Sequence, residues 1–362
     1  MGEPTGQVNP LPRHGAMVAA VVHLLLFGGA LLVPSLTPGK LSAAPQETPE
    51  KARHQAWQQL DVMMFRLKMF HHEAMSSMLS SLELPLFRDY FALPESRVLK
   101  RDEKGEVVFS EAQRLLRREM EEWVLHLHQR FTIGESCLVD RTGREHFRVV
   151  GGEAEESSHF SAEESDSPFF RRAMSAAPGE VVVSKPYMSP DSFHWVLAFS
   201  SPVVMADGDI PGFFHFEVPL DVFQTLLRTR LYGYVRREGG PDFDVEEEGR
   251  YFLLDRKGLV IADSRRQIST ELVASRHPER SPELPDYVRP ERMREYFPQA
   301  NSLYADPAFL AEATRMKAGE SGEAQLTLGG RDYVLVYQPV PGLPWTLGHL
   351  DPIGGPGEWG GP

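Results

Sequence analysis

Residues 135–150, ESCLVDRTGREHFRVV, and residues 250–264, RYFLLDRKGLVIADS, share one design. Each is an apolar run, a turn reading Asp-Arg-x-Gly, and a second apolar run. Asp and Gly supply turn chemistry, so both stretches read as β-hairpins. The segments downstream of each hairpin recur in the same order. After a helical insertion, Gly179-Glu180 opens the strand EVVVSKPYM, and a further strand closes on Ser201-Pro202-Val203. In the second copy Gly322-Glu323 opens EAQLTL, and a strand closes on Gln338-Pro339-Val340. One such match is chance; three in one order predict two copies of a single α+β module.

Upstream, Trp57, Leu60, Met64, Leu67, Phe70, Met75, Met78 and Leu82 recur at helical spacing, which predicts a long amphipathic helix ending near Pro85. A second helical stretch reads SEAQRLLRREMEEWVLHLHQRF. The first module adds a hairpin around Asp207-Gly208 and a helix from Leu220 to Arg230. The expected organisation is a tail over 1–14, a membrane segment over 15–38, a spacer over 39–52, and a helical scaffold over 53–130. A first module over 131–230, a second over 231–351 and a flexible tail over 352–362 complete it.

Of 362 residues, 41% are hydrophobic and 25% charged, which excludes wholesale disorder, coiled-coil and collagen architectures. Lys and Arg number 38 against 51 Asp and Glu, a net charge of −13. That scattered acidity argues against a nucleic-acid partner, which needs clustered basic residues. The single cysteine, Cys137, excludes an intramolecular disulfide and any multi-thiolate metal site. From Gly15 to Gly39 there is no charged residue, between Arg13 and Lys40. Two readings stand: an uncleaved N-terminal anchor, or a signal peptide cut near Leu41-Ser42-Ala43-Ala44. The run's length favours the anchor, because a cleavable apolar region is usually about 7–15 residues. Either way the rest is expected on the periplasmic or extracellular side of a bacterial inner membrane, single-pass if anchored.

Other patterns read as structure. Met63, Met64, Met69, Met75 and Met78, with His71 and His72, read as helix core rather than a metal site. His126 and His128 point to opposite sides of a helix. The acidic run GGEAEESSHFSAEESDS reads as a solvated loop without calcium-loop spacing. No G-x-S-x-G, H-E-x-x-H, P-loop or C-x-x-C occurs. The expectation is no enzyme, no cofactor and no metal, and no heptad region follows the second module to serve as an output domain.

The long helix after the membrane segment, LVDRTGREHFR, SPFFRRAMSAAPGEVVVSKPYMSP, ADGDIPGFFHFEVPLDVF, FLLDRKGLVIA and GGRDYVLVYQPVPGLPWTLG stand in one order. Over roughly residues 50–351 the chain therefore resembles the double Cache, or PDC-like, extracytoplasmic sensor domains of bacterial receptors. The resemblance implies an α+β fold of two PAS-like antiparallel-sheet modules stacked along the long helix. It also implies a ligand in the membrane-distal module and dimerisation through the helix. Amino-acid-binding relatives carry Arg-x-Trp-Tyr, then Tyr-x-Asp, then a strand Asp; here the positions read Ser167-Pro168-Phe169-Phe170, Tyr187-Met188-Ser189 and Glu217. Losing the arginine removes a bidentate partner for a ligand carboxylate, and losing the Asp removes an ammonium contact.

What the resemblance leaves is an aromatic wall of Phe169, Phe170, Tyr187 and Trp195, with polar groups at His194, His215, Glu217 and Ser189. Such a lining suits a small, partly apolar ligand, with cationic charge against the ring faces. The same aromatics also fit plain strand packing. Arg148 reads as an ion-pair or hairpin residue, Asp221 as a helix cap or first-turn carboxylate, and His215 as an exposed strand histidine. The expected function is small-molecule sensing by a membrane-tethered domain that signals through a partner receptor. The alternatives are a secreted periplasmic ligand-binding component, or a truncated chemoreceptor, histidine kinase or cyclase that has lost its output domain.

Overall fold

A computed structural model describes residues 48–103, 107–161, 163–189, 191–192, 194–228, 249–258, 260–265 and 306–353. The first helix, α1 (Pro49–Glu83), opens with Thr48 Oγ1 accepting from the Lys51 amide at 3.4 Å and with Pro49 in the first turn, where its missing N–H costs nothing. It stops at Leu84, whose extended backbone (ψ 141°) is what a following proline imposes. Ala52, Ala56, Leu60, Leu67, Phe70, Ala74 and Met78 form its buried stripe. Next come α2 (Pro85–Ala92), the short pair β1 (Lys100–Arg101) and β2 (Val107–Val108), and α3 (Glu111–Arg130). A reciprocal cap between Ser110 and Gln113 starts α3.

Both Asp-Arg-x-Gly stretches are hairpins. In β3 (Glu135–Asp140) and β4 (Glu145–Val150), Asp140 Oδ1 accepts from the Thr142 and Arg144 amides at 2.7 and 3.1 Å, and Gly143 takes a φ of 86°. In β10 (Arg250–Asp255) and β11 (Val260–Asp263), Asp255 Oδ1 accepts from the Lys257 amide at 2.8 Å and Gly258 has a φ of 82°. The first sheet adds β5 (Glu153–Ala154), β6 (Val182–Val183), β7 (Tyr187–Met188), β8 (Trp195–Val203) and β9 (Gly212–Pro219). The second adds β12 (Gly322–Leu328), β13 (Arg331–Pro339) and β14 (Trp345–Pro352). The first runs β5-β4-β3-β9-β8-β6, with β7 also on β8, and the second β11-β10-β14-β13-β12; all pairings are antiparallel. Each module thus places its hairpin, its last strand and its two middle strands in the same spatial order.

The stretch EVVVSKPYM differs from the continuous strand its composition predicts: β6 and β7 are two-residue pieces. Between them the Ser184 hydroxyl takes the Ala198 amide (2.9 Å), while Pro186 has no N–H to give. Shorter helices complete the layers: α4 (Phe170–Ser175), α5 (Leu220–Arg228) and α6 (Pro307–Lys317). The α1-facing sides of both sheets share one core, in which Leu138, Phe199 and Phe214 join Leu253, Val336 and Leu347. The far face of the second sheet is filled by Phe309 and Met316 of α6 against Phe252 and Leu335. Among the described residues no helix is long and apolar enough to cross a membrane. The segment 15–38 lies outside them, as do the tail over 1–14, the spacer as far as residue 47 and the last residues from 354. Residues 49–52 of the expected spacer belong to α1, and Pro352 of the expected flexible tail closes β14.

Candidate functional site: the far face of the first sheet

Strand alternation decides which side chains meet here. Cys137 lies opposite His215, Ser200 opposite His215, and Ala198 opposite Glu217, so Glu135 and Cys137 of β3 share a face with His215 and Glu217 of β9 and Ala198 and Ser200 of β8. A bulge in β4 brings two more groups to that face. Leu138 pairs with Phe147 but Val139 pairs with Glu145, so His146 is an extra residue and Glu145 and Arg148 emerge on one side. His146 turns the other way and meets the Tyr90 hydroxyl at 2.9 Å.

Arg148, 6% exposed, is the cationic centre of the face. Its Nη1 donates to Asp191 Oδ1 at 2.9 Å and to the His159 carbonyl at 2.7 Å. Its Nη2 donates to Glu145 Oε1 at 2.8 Å, and Nε lies 3.4 Å from Glu135 Oε1. Cys137 Sγ sits 2.9 Å from Glu135 Oε1 and 3.5 Å from Glu145 Oε1. Glu217 Oε1 accepts the Tyr187 hydroxyl in a short contact, while Oε2 is buried without a hydrogen bond. Phe169 stacks on His215 with centroids 4.3 Å apart, and neither nitrogen of that imidazole has a partner.

Burial is the dominant electrostatic effect. It raises Glu145 to about 7 even against the Arg148 charge, and Glu217 to about 8 even against the Tyr187 bond. Glu135 and the Cys137 thiol are pushed up by burial first, then by neighbouring carboxylates. Burial, with Arg148 second, drives His215 down to about 3, so its ring is neutral.

Of the residues singled out from sequence, Tyr187, Glu217, Phe169, Phe170, His215 and Ser189 gather on this side of the sheet. Ser189 Oγ donates to Glu135 Oε2 at 3.5 Å, and Phe170 packs on Phe213 with centroids 5.6 Å apart. His194, partly buried, instead places Nδ1 2.5 Å from the Ser192 carbonyl in the turn before β8. Trp195 points to the opposite face, into the core against α1. Its strand parity puts Val196 and Ala198 on the site's side. His215 is 1% exposed, which corrects its reading as a surface histidine: β3 and β8 flank its strand, and the Phe169 segment covers it. The acidic run is not solvated throughout either, because Glu164 is buried, its amide held by the Gly143 carbonyl at 2.7 Å.

Sequence reasoning missed Glu135, Cys137 and Glu145 and left Arg148 outside the site. The signal within reach was the spacing Glu135-x-Cys137 on one apolar strand and His215-x-Glu217 on another. Polar residues two apart in otherwise hydrophobic strands share a face.

No protein-family model matches the sequence, and no curated protein matches it. Solved structures do match in fold. The sensory domain of the Campylobacter jejuni chemoreceptor Tlp3 (CcmL) with isoleucine bound aligns with a TM-score of 0.51 at 13% identity, over 84% of this chain and 93% of that one. The ligand-binding domain of the same receptor in complex with L-norvaline aligns at 0.52 and 13% identity, over 84% and 91%. Its complex with L-valine aligns at 0.52 and 13%, over 84% and 93%. The chain accordingly has the α+β architecture of chemoreceptor sensory domains, the double Cache type that its sequence resembles.

Proposed function

We propose that the chain is an extracytoplasmic sensor domain that binds a small molecule on the far face of its first sheet and acts without catalysis. One observation carries this reading: Glu217 Oε2 and both His215 nitrogens are buried and unpartnered on one face. An unsatisfied buried polar group costs about 1–3 kcal/mol, so a ligand that supplies the missing bonds is favoured there. Arg148 is already paired with three carboxylates and a carbonyl, and only its Nε lacks a hydrogen bond, so it offers little to a ligand carboxylate. The surplus of carboxyls and the Phe169 and Tyr187 rings favour a ligand with positive charge or several donors. The apolar segment 15–38 supports tethering to a bacterial inner membrane, with the signal passed to a partner. Val62, Phe65 and Met69, an exposed stripe at helical spacing on α1, support pairing with a second copy.

The test is a thermal-shift screen of the full chain against amines, organic acids and nucleobases. A ligand at 100 times its Kd stabilises by about 2.7 kcal/mol. For any hit, Glu217→Gln and Tyr187→Phe are expected to lose most of that stabilisation, each measured against its own unliganded melting temperature, with near-ultraviolet circular dichroism showing that both variants fold. Equal stabilisation of both variants and parent removes this face from the site.

A further inference from the structure

We infer that the far face of the first sheet holds a divalent cation of the zinc class between Glu135, Cys137 and Glu145. Oxygens of the two carboxylates and the Cys137 sulfur all lie within 4.8 Å of one another, and all three residues are buried. Zn–O near 2.1 Å and Zn–S near 2.3 Å in a tetrahedral site put donor atoms roughly 3.6 Å apart. The sulfur is already 3.5 Å from one carboxylate and 2.9 Å from the other. Closing on an ion therefore needs shifts of well under an ångström for these two contacts.

A second observation points to a ligand independently of the cluster. His215, paired directly across β3–β9 with Cys137, is 1% exposed, and both its ring nitrogens lack a hydrogen bond. The three donors within 4.8 Å are those of Glu135, Cys137 and Glu145; His215 lies on the same face at the position paired with Cys137, and a buried unpartnered imidazole there suits a zinc-class ion. Calcium and magnesium take oxygen ligands and have no use for the sulfur. Charge points the same way. Glu135, Glu145, Glu164 and Glu217 are buried and Asp191 is a quarter exposed, with Arg148 as the one buried cation among them. A dication offsets that excess.

The ion competes with Arg148 for Glu135 and Glu145. The guanidinium has a place to stay, because Nη1 already holds Asp191 and the His159 carbonyl. Metal entry thus trades the bond from Arg148 to Glu145, both on β4, for a metal bond and leaves the tie between β4 and the segments carrying His159 and Asp191 in place.

This inference rests on reading the face as a ligand face, and cobalt separates the two. Cys137 is the chain's only cysteine, so a thiolate-to-cobalt charge-transfer band can arise nowhere else. Adding Co²⁺ to the full chain is expected to give that band, and Zn²⁺ to abolish it. Cys137→Ser should lose the band, and Glu135→Gln should weaken cobalt binding at least ten-fold; near-ultraviolet circular dichroism checks that both fold. Zn²⁺ should raise the melting temperature of the parent and not of Cys137→Ser. Cobalt bound without the thiolate band, or zinc stabilisation unchanged in both variants, overturns the site. Stabilisation by an organic amine with no cobalt band overturns the metal and leaves the sensor reading standing.

Discussion

Gly143 and Gly208 hold nearly the same backbone angle, φ 86° and 84°, in two hairpin turns, but their surroundings differ. A Cβ on Gly143 would meet Glu163 Oε1 at 2.6 Å and the Ser165 amide at 2.8 Å; one on Gly208 meets nothing within 4 Å. Left-handed strain of about 1–3 kcal/mol applies at both, and crowding at one. Gly143→Ala is expected to lower the urea midpoint clearly more than Gly208→Ala, and equal losses would show that the loop gives way freely. His349 makes stability depend on pH. It is fully buried, stacks on Tyr251 at 4.2 Å, and is pushed down to about 3 by burial, then by Arg265. An unfolded histidine protonates near 6.5, so the contribution of His349 is complete above that pH and drains away as pH falls toward 3. His349→Leu should lose less stability than the parent between about pH 7 and 4, read as urea midpoints; parallel curves would show that the imidazole is not what titrates. That Glu217 and Tyr187 meet on one buried face was legible because strand position and a family pattern coincide there. Glu145 and Arg148 were not, because their shared face depends on one extra residue in β4, and a bulge leaves no mark in alternation.

Among the secondary-structure elements, α1 was legible from apolar spacing alone, since a continuous stripe has to face a core. Its attachments were not, because they join residues hundreds of positions apart. Trp57 Nε1 donates to Glu323 Oε2 at 2.7 Å and Arg53 Nη1 to Glu323 Oε1 at 3.2 Å, fastening the start of α1 to the edge strand β12. Exposed pairs of this kind contribute about 0.2–1 kcal/mol, so Glu323→Gln should leave the global midpoint nearly unchanged. Local opening is another matter: amide exchange should quicken in the first turns of α1 and not around Phe70. Uniform exchange along the helix would mean that the clip holds nothing. The broken strand at β6 and β7 escaped the sequence reading because Val-rich composition argues for extension, while the serine that interrupts it acts through a side-chain bond to a strand fourteen residues away.

Taken together, the two modules were legible as a repeat of hairpin, insertion and paired strands, and their sheets share one strand order. Less visible was how they join. Apolar residues of both sheets meet α1 in one core, and Phe223 of α5 stands 5.3 Å from Phe70 and 5.0 Å from Trp345. Such continuity predicts one cooperative transition: heat capacity, tryptophan fluorescence and far-ultraviolet circular dichroism should share a midpoint, and separated midpoints would make the modules independent.

The β9 strand carries His215 and Glu217 and runs from Pro219 into α5 at Leu220 with no residue between. One turn into that helix, Gln224 takes the Asp263 amide at 2.9 Å and returns a bond to its carbonyl, gripping the backbone of β11. Slack is therefore missing along this route. Should a ligand bind Glu217 as proposed, its pull has one continuous path through β9 and α5 to the main chain of β11, much as a bell-pull works a bell in another room.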